Sequence, residues 1–432
     1  MAHTHTLLTP TEIVKEALRL FKNNLVMGNL AYRDYESEFP GAPKKGGSVQ
    51  IRKPVKFVSS KTRVRVTSQI TEQYITVQVA TQAHVSWQFS MIDLTLSIEQ
   101  YSERYIRPAC ARLANDVDAD GCALWDDVFN QVYESTGFVT PSTFMVLGKA
   151  MQKLDEEAAP PDDRVVVFNP AAHWSFANAL SNWNFREGGE SALRKGFLGK
   201  IANAEIFMDQ NIKTQTVGKY VTDTAAVASA RIAVHSTADS VSGAGLPTGI
   251  GVGVSQNQVI LLDGFNRGTT VCVLKVGDVF QIASCYAVNP MSGESTGALR
   301  NFVVTADAYS ATASTVEDKV MTYFYPDMIN TGPYKTVDTI PALGAAVTVI
   351  GNPNKSYPQN LAFHKNAFAL VMVPIQPPDS GWSATETEDG ISITVCKQFS
   401  IDEYVETIRL DILYGWKTIY PELAVRIMGA EA

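Results

Sequence analysis

The sequence predicts an α+β fold with long pieces projecting beyond its core, and three observations lead there. Gln73 to Phe89 alternates: Ile75, Val77, Val79, Ala83, Val85, Trp87 and Phe89 fall on one side, and Thr76, Gln78, Gln82, His84, Ser86 and Gln88 on the other. At ~3.3 Å per residue this strand spans roughly 50 Å, whereas an ordinary strand has about five or six residues. Ile98 to Tyr133 instead carries apolar residues every three or four positions, at Ile98, Tyr101, Tyr105, Ala109, Leu113, Val117, Leu124, Val128 and Val132, as a helix of roughly 50 Å does. From Thr214 to about Leu343, short β-like runs separated by Gly, Ser, Asn and Asp turns have the spacing of a small antiparallel barrel or sandwich. Two elements longer than a globular domain needs point to an assembly subunit that spreads over its neighbours, not to a catalyst.

The elements follow in order. Residues 1–45 read as an N-terminal arm: Thr11 caps a helix over Thr11 to Leu25 with apolar residues at Ile13, Val14, Ala17, Leu18, Phe21 and Leu25, and Pro40, Gly41, Pro43, Gly46 and Gly47 end the segment. Residues 46–90 form an extended loop and its strand, where Pro54 marks an edge. Residues 91–136 hold the long helix, in which Pro108 removes a hydrogen bond near Arg104 and Gly121 adds softness, so both are candidate flexing points. An α/β block begins near Thr140 with a helix over Pro141 to Ala158 and a strand over Arg164 to Phe168. The β-like runs are Ala230–His235, Gln258–Leu262, Thr270–Leu274, Val279–Ala287, Phe302–Ala306 and Val320–Tyr325, with Ser236 to Asn257 as the most loop-like piece. A self-contained β domain thus interrupts the α/β block, which resumes at Ala345 and continues to Ala432.

With 432 residues, 45% hydrophobic and 19% charged, the chain has room for two to four folded domains. No apolar run reaches a membrane span, and Met1 to Pro10 lacks a secretory signal, so the expectation is a chain that stays in the cytosol where it is made. Its five cysteines are scattered without a C-x-x-C pair and read as reduced, buried small hydrophobes. A net charge of −8 argues against a surface built to grip nucleic acid, and permits the wall of a container. The charge is uneven: Lys44, Lys45, Arg52, Lys53, Lys56, Lys61, Arg63 and Arg65 occur with no acid between Lys44 and Thr71. Either lysines guard a solvated strand edge, or the loop lies across an acidic patch on an adjacent copy; nucleic-acid binding ranks third, since only Phe57 offers an aromatic face.

Catalytic chemistry is thinly represented. The six histidines, His3, His5, His84, His173, His235 and His364, are dispersed without ligand-like neighbours, so neither a metal nor a cofactor is expected. Gly293-Glu-Ser295-Thr-Gly297 fits the G-x-S-x-G pattern of a hydrolase, with Asp307 and His364 following in triad order. That motif requires a helix after it, and Ala298 to Thr305 reads as a strand, so a polar loop is the better reading and no catalytic residue is assigned.

The order of parts, with local matches at Ala111-Arg-Leu-Ala-Asn-Asp-Val117, Phe168-Asn-Pro170, Lys275-Val-Gly-Asp278, Ala367-Phe-Ala-Leu-Val-Met-Val-Pro374 and Leu413-Tyr-Gly-Trp-Lys-Thr-Ile-Tyr-Pro-Glu422, resembles the coat proteins of tailed bacteriophages with the HK97-type fold, in particular those of the P22 type with an inserted β domain. The resemblance implies an N-arm over 1–45, an E-loop over 46–90 and a peripheral domain with its spine helix over 91–136. The axial domain takes 137–213 and, with peripheral return strands, 345–432; the inserted antiparallel β-barrel takes 214–344. It further implies hexamers and pentamers of an icosahedral head, assembled in the host bacterial cytoplasm with a scaffolding protein and a portal protein. The procapsid expands as it takes up double-stranded DNA without reading its sequence, with or without a decoration protein and with no membrane. Family members differ in whether the arm is cut off or cross-linked; the sequence shows no pro-segment boundary, so the arm is expected uncut. Candidate contacts between subunits are Lys53, Lys56, Lys61, Arg63, Arg65, Ser240 and Ser242, and Lys61 is one candidate for a covalent cross-link. An encapsulin-like cargo shell and the Ser295 hydrolase are the alternatives.

Overall fold

The computed structural model describes residues 10–33, 47–57, 61–65, 72–90, 102–134, 140–181, 200–220, 233–237, 258–265, 271–309, 320–342, 344–376 and 382–429. They form a mixed α+β protein whose chain divides into two compact units. The first comprises residues 1–51, 75–122 and 368–419, and the second residues 52–74, 123–367 and 420–432.

The first unit is built on a five-stranded antiparallel sheet of Thr81–Ser90, Phe368–Met372, Trp382–Glu388, Ile391–Ser400 and Val405–Thr418. The 405–418 strand is its centre, pairing with 81–90 from Val405↔Ser90 to Tyr414↔Thr81. The helix Pro10–Asn24 buries Ile13, Val14, Ala17, Leu18 and Phe21, the stripe its periodicity foretells. Pro10, not Thr11, begins it, as suits a residue with no N–H to lose in the first turn. Asp118, buried on the helix Arg107–Cys122, accepts hydrogen bonds from Val26 N–H at 2.7 Å and Gly28 N–H at 2.9 Å, tying down the turn that follows.

Two expectations need correction here. The single long strand is two, Tyr74–Gln78 and Thr81–Ser90. The alternation persists, with Ile75, Val77 and Phe89 buried and Gln78 and His84 exposed, but the partner changes: 74–78 pairs with Ser48–Arg52, and 81–90 with 405–418. At the junction Val79 N–H is bonded to Gly47 O, and the Gln78 carbonyl passes over Gly415 so closely that a Cβ there would lie 2.2 Å from it. The long helix is likewise divided among the described residues, which leave out Ile98 to Tyr101. It runs as a π segment Ser102–Ile106, the α-helix Arg107–Cys122 and a 3-10 turn Ala123–Asp127, after which Gln131–Tyr133 is a strand. Pro108 lies where the π segment gives way to the α-helix, where its missing N–H costs least. Val128 and Val132 are buried as the period requires, but by a loop and a strand.

The second unit contains a mixed six-stranded sheet, in the order Gln131–Tyr133, Ala424–Met428, Asn360–His364, Arg164–Phe168, Ala204–Met208, Lys200–Ile201. Its central strands are buried throughout, and the helix Phe144–Glu156 sets Val146, Leu147, Ala150, Met151 and Leu154 into the same apolar cluster. In Phe168-Asn-Pro170, the Asn169 side chain caps the helix Pro170–Ser181 by accepting Ala172 N–H at 2.9 Å, with Pro170 as the first helical residue. The second sheet is also six-stranded and antiparallel, in the order Val347–Val349, Val279–Val288, Ser295–Val304, Val320–Tyr325, Gln258–Asp263, Ala233–Thr237. Residues 347–349, expected in the resumed α/β block, belong to it. The chain enters and leaves this sheet through adjacent antiparallel strands, Thr214–Thr216 and Ser356–Pro358.

Candidate functional site

The basic segment is largely exposed where it is described. From the end of the 48–52 strand onward, Arg52, Pro54, Lys56 and Phe57 are exposed, as are all of Lys61 to Arg65, with Phe57 69% and Val64 75% accessible. Arg52 pairs with Glu72 at 3.4 Å, and the Lys53 ammonium sits 5.5 Å from the centre of the Tyr420 ring. Lys56, Lys61, Arg63 and Arg65 form no ion pair among the described residues. Four cations without an ion pair among the described residues thus share this segment with two exposed apolar side chains. Lys44, Lys45, Ser240 and Ser242 lie outside the described residues.

A second concentration of chemistry lies where the antiparallel sheet meets the mixed sheet, and its principal residue escaped the sequence reading. Arg426, on the buried strand Ala424–Met428, has no exposed surface and lies with its guanidinium 5.3 Å from the Trp125 ring centre. Its Nη1 donates to Gly277 O at 2.8 Å and to Gln215 Oε1 at 3.4 Å. Beside it Asp278 accepts from Gln215 Nε2 at 2.6 Å, Lys275 N–H at 2.8 Å and Gly218 N–H at 2.9 Å. Burial pushes the Asp278 carboxyl up to about 6 against these donors, and brings the Arg426 guanidinium down to about 9. Here the Lys275-Val-Gly-Asp278 match finds its reason: Gly277 has φ +86°, and a Cβ there would meet the Trp125 ring at 2.3 Å. A lone cation inside the apolar run Ala424-Val-Arg-Ile-Met428 was the available signal, because a charge in a fully buried strand needs a built partner.

A second buried cation answers the first from the opposite side. Arg300, on the 295–304 strand, is paired with Glu157 at the end of the 144–156 helix, and lies 4.6 Å over the Phe129 ring. Burial raises the Glu157 carboxyl above its usual range, opposed by Arg300. Asn301 Nδ2 donates to Gln131 O at 3.1 Å, and Asn289 Nδ2 to Glu156 O at 2.9 Å.

The hydrolase reading finds no support in this geometry. Ser295 opens a strand rather than a helix and accepts Gly297 N–H; Asp307 accepts Val276 N–H; His364 accepts Asn366 N–H through Nδ1. Among the described residues, no three or more His, Cys, Asp or Glu side chains are grouped to hold a metal ion, and no helix is long and apolar enough to cross a membrane. Cys110, Cys122 and Cys285 are buried and in no disulfide, with Cys110 and Cys285 pushed up to about 12 by burial.

The late Leu413 to Glu422 match is a packing device. Tyr414 donates to Asp120 Oδ2 at 2.6 Å, Trp416 Nε1 donates to Val117 O at 3.0 Å, and the Trp416 ring lies where a Cβ on Gly121 would be 2.6 Å away.

Among solved structures the chain is similar to Mycobacterium phage Che8 (14% identity, covering 93% of this chain and 90% of that one, TM-score 0.46). It is also similar to the capsid of cyanophage P-SCSP1u (10%, 94% and 89%, TM-score 0.47) and that of Ralstonia phage GP4 (8%, 94% and 90%, TM-score 0.45). No curated protein sequence matches. The family described as P22 coat protein, gene protein 5, matches residues 1–429. That match spans both compact units, both buried arginines and the basic segment, so the chain belongs to the P22 coat protein family and is a phage major capsid protein.

Proposed function

We propose that this chain builds an icosahedral head from hexamers and pentamers, through a scaffold-dependent procapsid that expands as double-stranded DNA is packaged. The observation that carries the assembly reading is the basic segment, whose exposed Phe57 and Val64 and unpaired Lys56, Lys61, Arg63 and Arg65 lack cover among the described residues. On a chain of net charge −8 these cations favour contact with another copy, and many weak contacts add up in a closed symmetric shell. In this reading residues 1–45 are the arm, uncut, and 46–90 the E-loop. Residues 91–136 carry the spine helix, 137–213 with 345–432 the axial domain and peripheral return strands, and 214–344 the inserted domain. Lys53 joins the contact set, and Ser240 and Ser242 belong to a loop that reaches a neighbouring capsomer. Pro108 and Gly121 let one spine helix serve both capsomer types. Scaffolding and portal proteins are its assembly partners in the host cytoplasm.

Electron microscopy of the chain co-expressed with its scaffolding protein tests this reading. Closed particles of uniform size are expected, and soluble monomers at high concentration would overturn it. Replacing Lys56, Lys61, Arg63 and Arg65 together by Ser should abolish particles and leave monomer stability within about 0.5 kcal/mol, as exposed substitutions do. Normal particles from that variant would remove the basic segment from the contact.

A further inference from the structure

We infer that Arg426 and Arg300 act as a reciprocal pair of buried pins that set the orientation of the antiparallel sheet on the mixed sheet. Each crosses the seam in the opposite direction. Arg426 starts from the mixed sheet and reaches the Gly277 carbonyl at the turn leading into the 279–288 strand. Arg300 starts from the antiparallel sheet and reaches Glu157 at the end of the helix packed under the mixed sheet. Two anchors at separate points are not both satisfied by a sheet that has slid or rotated, since each rests on a directional bond from one nitrogen, Arg426 Nη1 to Gly277 O and Arg300 Nη1 to Glu157.

The apolar contacts across the same seam hold without aiming. Phe129 and Met428 join the apolar cluster of the antiparallel sheet, and Phe129 meets Tyr325 edge-on at 5.7 Å. Burial of such surface is non-directional, so it supplies cohesion while the arginines choose one arrangement. Two buried cations are a poor route to stability, because desolvation of each offsets most of what its partners return. Their positions are explained by what they orient. Gly218 and Gly277 let the backbone close around them: a Cβ on Gly218 would lie 2.3 Å from Val273 O, and one on Gly277 would strike Trp125.

The test uses the full chain with Cys272 and Cys396 replaced by Ser and spin labels on Glu205→Cys and Met291→Cys, exposed positions on the mixed sheet and in the antiparallel sheet's 289–294 turn. Arg426→Met, and Glu157→Gln combined with Arg300→Met so that no charge is left buried alone, should each at least double the width of the label-to-label distance distribution. Hydrogen exchange at Gly218 and Lys275 should rise tenfold or more in Arg426→Met, while Val166 in the mixed sheet keeps its protection. An unchanged narrow distribution in both Met variants would overturn the inference. So would loss of protection throughout the second unit, since the arginines would then support the fold as a whole and not its orientation.

Discussion

Burial holds the Asp278 carboxyl at about 6, against an ordinary 3.8, and the sign of its effect on stability follows. Between those values the folded chain keeps a proton that the unfolded chain has lost, so this group's contribution is greatest at low pH and falls as pH rises through 6. Two units at ~1.4 kcal/mol each make the fall roughly 3 kcal/mol. Denaturant unfolding at pH 4 and pH 7 should therefore show parent and Asp278→Asn diverging by about that amount, with the parent relatively weaker at pH 7; parallel curves would refute it. Gly277→Ala, at φ +86° and against Trp125, should cost about 2 to 4 kcal/mol in the same assay. At this scale the sequence showed the glycine and the aspartate as a local match. It hid the cation that faces them, because Arg426 is 148 residues beyond Asp278 and only the fold brings the two together.

Among the elements, the 107–122 helix organises the first unit through Asp118, which satisfies two backbone N–H groups of the 26–28 turn. Asp118→Ala leaves both without that acceptor and should lower stability by about 2 to 4 kcal/mol, read as a shifted denaturant midpoint with an unchanged slope. Most of the architecture was legible from periodicity. The terminal helix, the 164–168 strand and the strands at 258–263, 279–288 and 320–325 lie within a residue or two of where their patterns place them. What periodicity missed were changes of partner. Alternation continues unbroken through Val79 although the strand passes from one neighbour to another there, and the helical spacing of Leu124, Val128 and Val132 continues after Gln131–Tyr133 has paired in parallel with Arg426–Met428. At those junctions burial changes too: Ala80 to Gln82 are all exposed, and Val128 to Val132 are all buried.

For the molecule as a whole, charge is distributed so that a cationic segment belongs to an anionic body. If that segment seats on other copies, raising salt should slow association, because screening shortens the reach of exposed charges from about 10 Å at 0.1 M to about 3 Å at 1 M. Light scattering of assembling protein should show a rate that falls with ionic strength in the parent and stays flat in the Lys56, Lys61, Arg63, Arg65 Ser variant. The paired strands Thr214–Thr216 and Ser356–Pro358 have a consequence of another kind. A stretch of chain that departs and comes home side by side can be spliced in or swapped without separating the strands it interrupts, since its two ends are already ladder neighbours. Removing it outright is a different matter: Phe129, Tyr357 and Met428, dry at present, would be stranded in water. A graft of foreign sequence at this doorway must therefore bring its own apolar lid.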